Sequence, residues 1–349
     1  MEEIRQLYQE FKFGFEAELC VSDVSKNEGD DTPLFQRMAT KFNRKPICEE
    51  NTISWDYTDK PFEKEAMDYS KWNITSDSTV DCPSKDRSDE FPELKTEYCM
   101  ISGRKDSCPE EIEYYRDIEI VSPILIPSKF TDMYKVWMAC ILSSNLTYLI
   151  NESQGLHVHL SHPRLDMNRF LKLWYALEEV IKNILPSYRR INLGSMAKDV
   201  RALCVLDRNK RISINPDVQL LKFHAVNTSY YKPDSCRLEI RVYPGTADFL
   251  EIYSWVNFCL LFACKSILTS EEELNRVLDM SYRDKVEYLF NQVIPDKRIA
   301  GYFSVKYNIN KKENIPKYDY KDRKIKIIES IKTSPTLTQE ILENQAIPV

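Results

Sequence analysis

Three short stretches set charged or metal-binding side chains two residues apart inside apolar runs. They are Glu16-Ala17-Glu18, His157-Val158-His159 and Glu239-Ile240-Arg241. In a β-strand, residues two apart point to the same face. Each stretch therefore puts a polar pair on one face and keeps its apolar side chains on the other. A Glu-x-Glu pair is either solvated or a cation ligand. Adjacent imidazoles suit a metal or a phosphate. Histidine is sparse here: the chain has four, and three fall between residues 157 and 162. An Arg beside a Glu is either an ion pair lacing a surface strand or a planar fork for a phosphate or carboxylate. Three such strands side by side would line one charged groove.

The surrounding patterns give the elements that must position these side chains. Phe11 to Cys20 alternates cleanly and reads as a half-buried strand. Tyr114 to Val121 reads as another, with Asp117 and Glu119 on one face and Ser122-Pro123 ending it. Leu156, Val158 and Leu160 alternate against His157, His159 and Ser161. A short strand is expected at Trp72–Thr75, and a strand pair over about 220–227 and 236–243. Helical periodicity covers 129–150. It resumes from an N-cap at Asp166 and stops at Pro186, then covers about 246–268 and 270–293. Alternation, rather than continuous apolar runs, leaves one sheet face polar and favours antiparallel pairing. The expected fold class is α+β: a curved, mainly antiparallel sheet with a polar face and helices packed on the other. Residues 1–295 are expected to form one domain, with an exposed insertion at about 80–112. A peripheral extension over 296–349 ends in a loose tail.

Composition narrows the function. The net charge of −6 argues against a nucleic-acid binder that relies on overall basicity. No run of about 18 uncharged apolar residues predicts a membrane span. The N-terminal Met1-Glu2-Glu3-Ile4-Arg5 lacks the apolar stretch of a signal peptide. Ten scattered cysteines are then expected as reduced thiols in a cytoplasmic setting. Cys82, Cys99 and Cys108 share a loop-like region without a Cys-x-x-Cys pair, a weak pattern for zinc. Only seven glycines occur, and neither Gly-x-Gly-x-x-Gly nor a P-loop is present. Any nucleotide phosphates would have to be held by metals and side chains.

In combination the stretches are more specific. Gly14-Phe15-Glu16-Ala17-Glu18, Glu119-Ile120-Val121-Ser122-Pro123, Gly155-Leu156-His157-Val158-His159, Asn227, and Glu239-Ile240-Arg241 with Gly245-Thr246 occur in this order. The set resembles the amidoligase family of the glutamine synthetase and glutamate–cysteine ligase superfamily, over roughly residues 11 to 265. Asp77-Ser78-Thr79 departs from the family's Asp-Gly-Ser by lacking its glycine, and an unusually long segment follows. The resemblance implies an ATP-dependent carboxylate–amine ligase working through an acyl phosphate. It implies Mg2+ or Mn2+ held by Glu16, Glu18, Glu119, His157 and Glu239. It implies Arg241, with Glu239, at the reacting groups, and His159, Arg189, Arg190 and Asn227 toward the nucleotide. Such chemistry needs cations because ATP and a carboxylate substrate bring several anions together. The implied partners are a carboxylic acid and an amine, which are an amino acid, a peptide or a protein, with no nucleic acid and no membrane.

Two other readings stand beside it. A zinc hydrolase would gather His157, His159 and either His162 or His224 on one metal, with Glu239 as base. It leaves Glu16, Glu18 and Arg241 idle. A non-catalytic structural or interaction protein would retain the ligase fold without the activity.

Overall fold

A computed structural model describes residues 2–23, 38–39, 55–58, 69–76, 80, 82, 115–141, 146–190, 197–218, 221–232, 235–313 and 327–332. Most of the segment expected as an insertion lies outside the described residues, as do Asp77-Ser78-Thr79 and most of 22–50. The described strands are β1 (Lys12–Asp23), β2 (Trp55–Thr58), β3 (Trp72–Thr75), β4 (Tyr115–Val121), β5 (Leu146–Asn151), β6 (Gly155–Ser161), β7 (Cys204–Leu206), β8 (Ile212–Ile214), β9 (Val226–Asn227), β10 (Arg237–Pro244) and β11 (Ile327–Lys332). The helices are α1 (Glu2–Glu10), α2 (Phe130–Ile141), α3 (Met167–Lys182), α4 (Val200–Leu203), α5 (Phe249–Leu268), α6 (Glu271–Asp279), α7 (Tyr282–Tyr288) and α8 (Lys297–Asn310). The class is α+β. The main sheet runs β2-β3-β4-β1-β6-β10-β9, with β5 pairing β1 and β11. Pairing is mostly antiparallel; β2 and β3 are parallel. Strands β7 and β8 form a separate hairpin.

The chain divides into two compact units, each of several segments. One contains residues 1–15, 156–244 and 250–318. Its core is aromatic. Trp255 stacks on Tyr243 and Phe258 at 4.5 and 4.8 Å, and Phe262 meets Phe170 and Trp174 edge-on at 5.2 Å. Helix α3 follows its sequence pattern: Asp166 caps it by accepting from the Arg169 N–H at 2.8 Å, and Phe170, Leu171, Trp174, Leu177 and Ile181 are buried. Helix α5 is long and apolar enough to span a membrane by composition, but 78% of that window is buried inside the protein. It is a core helix.

The other unit contains residues 16–155, 245–249 and 319–349. Here the pleat sorts side chains as the alternation requires. Ala17, Ile120 and Ile74 sit opposite one another on β1, β4 and β3, and all are fully buried. Helix α2 packs here through Trp137, whose ring lies 6.4 Å from that of Trp72 and whose indole N–H donates to the Ala247 carbonyl at 2.9 Å.

Several expectations are corrected. The helix expected over 129–150 ends at Ile141, and Leu146–Asn151 is a strand paired with β1 and β11. Leu146, Leu149 and Ile150 satisfy a helical face as well as a buried strand, so periodicity alone does not separate the two. The helix expected over 270–293 is broken because Ser281 caps a new start by accepting from the Asp284 N–H. Of the strand expected at 220–227, Val226–Asn227 forms β9 after a 3-10 turn at Leu221–Phe223, and His224 makes an isolated parallel bridge to Lys198. Within the expected loose tail, Ile327–Lys332 forms β11. Cys20 and Cys82 are not reduced thiols but a disulfide spanning 62 residues of sequence. That bond removes Cys82 from any zinc set; Cys99 and Cys108 lie outside the described residues.

Two features give measurable consequences. Gly245 packs so closely that a Cβ there would sit 2.6 Å from the Gln154 Cβ and 3.1 Å from the Glu18 carbonyl oxygen. Gly245→Ala should therefore lower stability by about 1–3 kcal/mol in denaturant unfolding. Glu178 is buried and accepts from the Val200 and Arg201 N–H groups at 2.5 and 3.0 Å. Burial, helped by Asp199, pushes its pKa up to about 7 against the pull of those N–H groups. A raised carboxylate pKa means the folded state holds the proton more tightly. Its contribution is complete below the unfolded pKa and is lost as pH rises through 7. Thermal unfolding should thus show a fall in Tm from about pH 5 to pH 8 that is smaller in Glu178→Gln.

Candidate active site

In the unit that holds residues 16–155, an acidic row is set by strand register. Glu18 on β1 lies opposite Glu119 on β4, which lies opposite Thr75 on β3. This row is almost fully buried: Thr75 and Glu119 are 0% exposed and Glu18 is 3%. Glu16, one pleat along the same face, is partly exposed and lies opposite Val121. Glu18 is fixed by the turn between β5 and β6, where the Gly155 N–H donates to its Oε2 at 2.6 Å. That turn is itself closed. The Asn151 N–H donates to Gln154 Oε1 at 3.0 Å, and the Ser153 N–H donates to Asn151 Oδ1 at 2.9 Å. Two buried carboxylates on facing strands repel and lose hydration together. A hard divalent cation is the chemical counterpart of such a donor set.

In the unit that holds residues 156–244, a polar cluster is centred on Glu239 in β10. Asn227 lies opposite it on β9 and donates Nδ2–H to its Oε2 at 2.5 Å. The Asn227 amide is oriented by the Ser229 N–H, which donates to Oδ1 at 2.9 Å. Arg241 pairs with Glu239 Oε1 through Nη1. His157 Nδ1 lies 3.6 Å from the same oxygen. Glu239, Asn227 and His157 are all buried, and the Arg241 side chain is 15% exposed. Charge-assisted bonds of this kind favour the ionised carboxylate. The arrangement thus holds a negative charge in place while keeping an arginine at the edge of the cluster.

His159 is organised by a residue whose part the motif reading did not assign. Arg237 donates Nη2–H to His159 Nδ1 at 2.9 Å, which leaves the ring proton on Nε2. The guanidinium of Arg237 lies 4.7 Å from the centre of the Tyr230 ring, whose edge faces His159. Strand parity was the available signal, since Arg237 alternates with Glu239 and Arg241. Tyr230 sits in a loop and carries no comparable sequence signal.

Arg189 and Arg190 are engaged elsewhere. Arg189 Nη2 donates to the Tyr243 carbonyl at 3.0 Å. Arg190 is buried; its Nε donates to the Leu185 carbonyl at 2.9 Å, and its Nη2 bonds the Asn310 carbonyl and pairs with Glu313. These bonds make Arg190 a clasp on the end of α8 and take up the fork that nucleotide phosphates would need. The histidines of the hydrolase reading are also dispersed. His162 accepts from the Arg164 N–H and pairs with Glu10, while His224 contacts the Leu221 carbonyl. Among the described residues, neither belongs to a metal-ligand group with His157 or His159.

The family profile described as "Putative amidoligase enzyme" matches residues 9–263. No curated protein matches the chain.

Arg190→Met leaves the Leu185 carbonyl without its Arg190 donor, while the Asn310 carbonyl keeps the Glu313 N–H. Each buried unpaired group costs about 1–3 kcal/mol. The variant should unfold at lower denaturant concentration than the wild type.

Proposed function

Because the chain belongs to this amidoligase family, we propose that it is an ATP-dependent ligase that joins a carboxylate to an amine. The observation that carries this reading is Glu239: a buried carboxylate gripped by Asn227, Arg241 and His157, at the position of the family's Glu-x-Arg strand. Forming an amide in water requires a better leaving group than hydroxide. Phosphorylation of the acid supplies one, and the amine then displaces phosphate.

Two ligand sets fit divalent cations in this reading. Glu16 and Glu119 would supply donors in one unit, and His157 and Glu239 in the other. Oxygen donors with single imidazoles suit Mg2+ or Mn2+. Cations held there would neutralise the phosphates of ATP and the substrate carboxylate. The residues' own parts follow from their contacts. Glu18 is locked by the Gly155 N–H and lends negative charge behind Glu119. Asn227 keeps Glu239 in one rotamer. Arg241, anchored on Glu239, presents a rigid cation to the transferring phosphoryl group or to the acid. Arg237, which can only donate to His159 Nδ1, holds the neutral ring with its proton on Nε2.

Three measurements test this reading. ADP release should be detected with Mg2+ in a screen of acid–amine mixtures and fall to background in Glu239→Ala; equal rates in the two proteins would refute the site. Mn2+ at about a hundredfold excess over its Kd should stabilise the wild type by about 2.7 kcal/mol. Asn227→Ala should weaken Mn2+ binding by about 10- to 100-fold, the usual consequence of losing an outer partner of a ligand.

A further inference from the structure

We propose that the Cys20–Cys82 disulfide is a redox latch on the Glu18–Glu119 carboxylate row, with Gln154 as the positioning residue that links the two. The proposal rests on the cation-binding reading above and adds its regulation. Three observations meet at one place.

First, Cys20 is the next residue after Glu18 on the same face of β1, and it lies opposite Asp117 of β4. Cys82 follows β3, which is separated from β1 by β4. The bond therefore ties the chain leaving β3 to β1 across the intervening strand, on the face that carries the carboxylates.

Second, Gln154 touches both the disulfide and the fixed end of the row. It is fully buried, and its Nε2 donates to Cys20 Sγ at 3.1 Å. Its Oε1 accepts from Asn151 and its carbonyl accepts from the Gly245 N–H at 2.9 Å. The following N–H, that of Gly155, is the one that holds Glu18 Oε2. A shift of Cys20 thus reaches Glu18 through one residue whose polar atoms are all engaged. The glycine contact at Gly245 leaves no slack on the other side.

Third, the two sulfurs are unequal. Cys20 is 0% exposed while Cys82 is partly exposed. A small thiol of the glutathione class, as thiolate, attacks the Cys82 sulfur. The S–S bond breaks and its electron pair leaves on Cys20. The departing thiolate already faces the N–H donors of Gln154 and, at 3.8 Å, Asn151. Exchange is faster when the leaving thiolate is stabilised. A second thiolate then attacks the sulfur of the first, and the Cys82 thiolate leaves. Two thiols become one disulfide, and their two protons end on Cys20 and Cys82. In the closed form Cys20, Gln154, Gly155 and Glu18 are held at fixed spacing. In the open form the chain after β3 is untied and that spacing relaxes.

The test is calorimetric titration of Mn2+ into the full-length protein without nucleotide. One sample is oxidised with glutathione disulfide, the other reduced and desalted under argon. Peptide mapping with alkylation before reduction monitors the bond. The oxidised protein should bind Mn2+ about fivefold or more tightly than the reduced protein, the lower end of usual coupling between sites. Cys82→Ser should bind as the reduced protein does in both samples. Gln154→Ala should still form the disulfide yet show no difference between its oxidised and reduced forms. Equal affinities in oxidised and reduced wild type, or both cysteines alkylated in the oxidised sample, would overturn the latch and leave the ligase reading standing. No Mn2+ binding in any sample would overturn both.

Discussion

Glu18, Glu119 and Glu239 are carboxylates held almost wholly out of water. Removing an ionised carboxylate from water costs several kcal/mol unless other groups replace its hydration. The local structure around Glu239 and Glu18 supplies part of that replacement. Glu239 obtains it within its own neighbourhood, from the amide of Asn227 and the guanidinium of Arg241. Glu18 obtains part of it from a backbone N–H, that of Gly155. Glu119 faces Glu18 across a strand pair, which adds repulsion to desolvation. In the proposed reading a hard cation is the complement of this row.

The apolar reverse of the sheet makes this placement rigid. Ala17, Ile74 and Ile120 are buried in register behind the carboxylate row, with Trp72 against Trp137 of α2. A slip of one residue would turn these side chains into the polar face and the carboxylates into the packed one. Register is therefore strongly specified. In the other unit the aromatic cluster of Tyr243, Trp255, Phe258 and Phe303 seats the end of β10, the strand that carries Glu239 and Arg241. Core packing thus sets the precision of the polar side chains, although none of these aromatic groups takes part in chemistry.

The turn over Asn151–Gly155 has a larger part than its length suggests. Its backbone and side chains hold Glu18, receive Gly245 and contact Cys20. These contacts are directional, and Gln154 and Glu18 are buried. This explains why a glycine follows β10 at residue 245: the approach to Gln154 and the Glu18 carbonyl leaves no room for a Cβ.

The sequence by itself determined the strands that alternate strictly. Phe11–Cys20, Tyr114–Val121 and the His-x-His strand announced both their conformation and their polar face, because a period of two is read directly from residue order. It determined the capped helix from Asp166, and it carried the family through the order of Glu16, Glu18, Glu119, His157, His159, Glu239 and Arg241. Tertiary structure decided whatever depends on partners distant in the chain. Residues 146–151 became a strand because β1 and β11 supply the backbone partners that an apolar run cannot name. Arg190 became a structural clasp because Asn310 and Leu185 meet it, 120 and 5 residues away. Arg237 gained its relation to His159, and Cys20 its bond to Cys82, in the same way. Residue type and spacing fix local geometry, whereas a side chain's hydrogen-bond partner is fixed only once the chain has brought remote segments together.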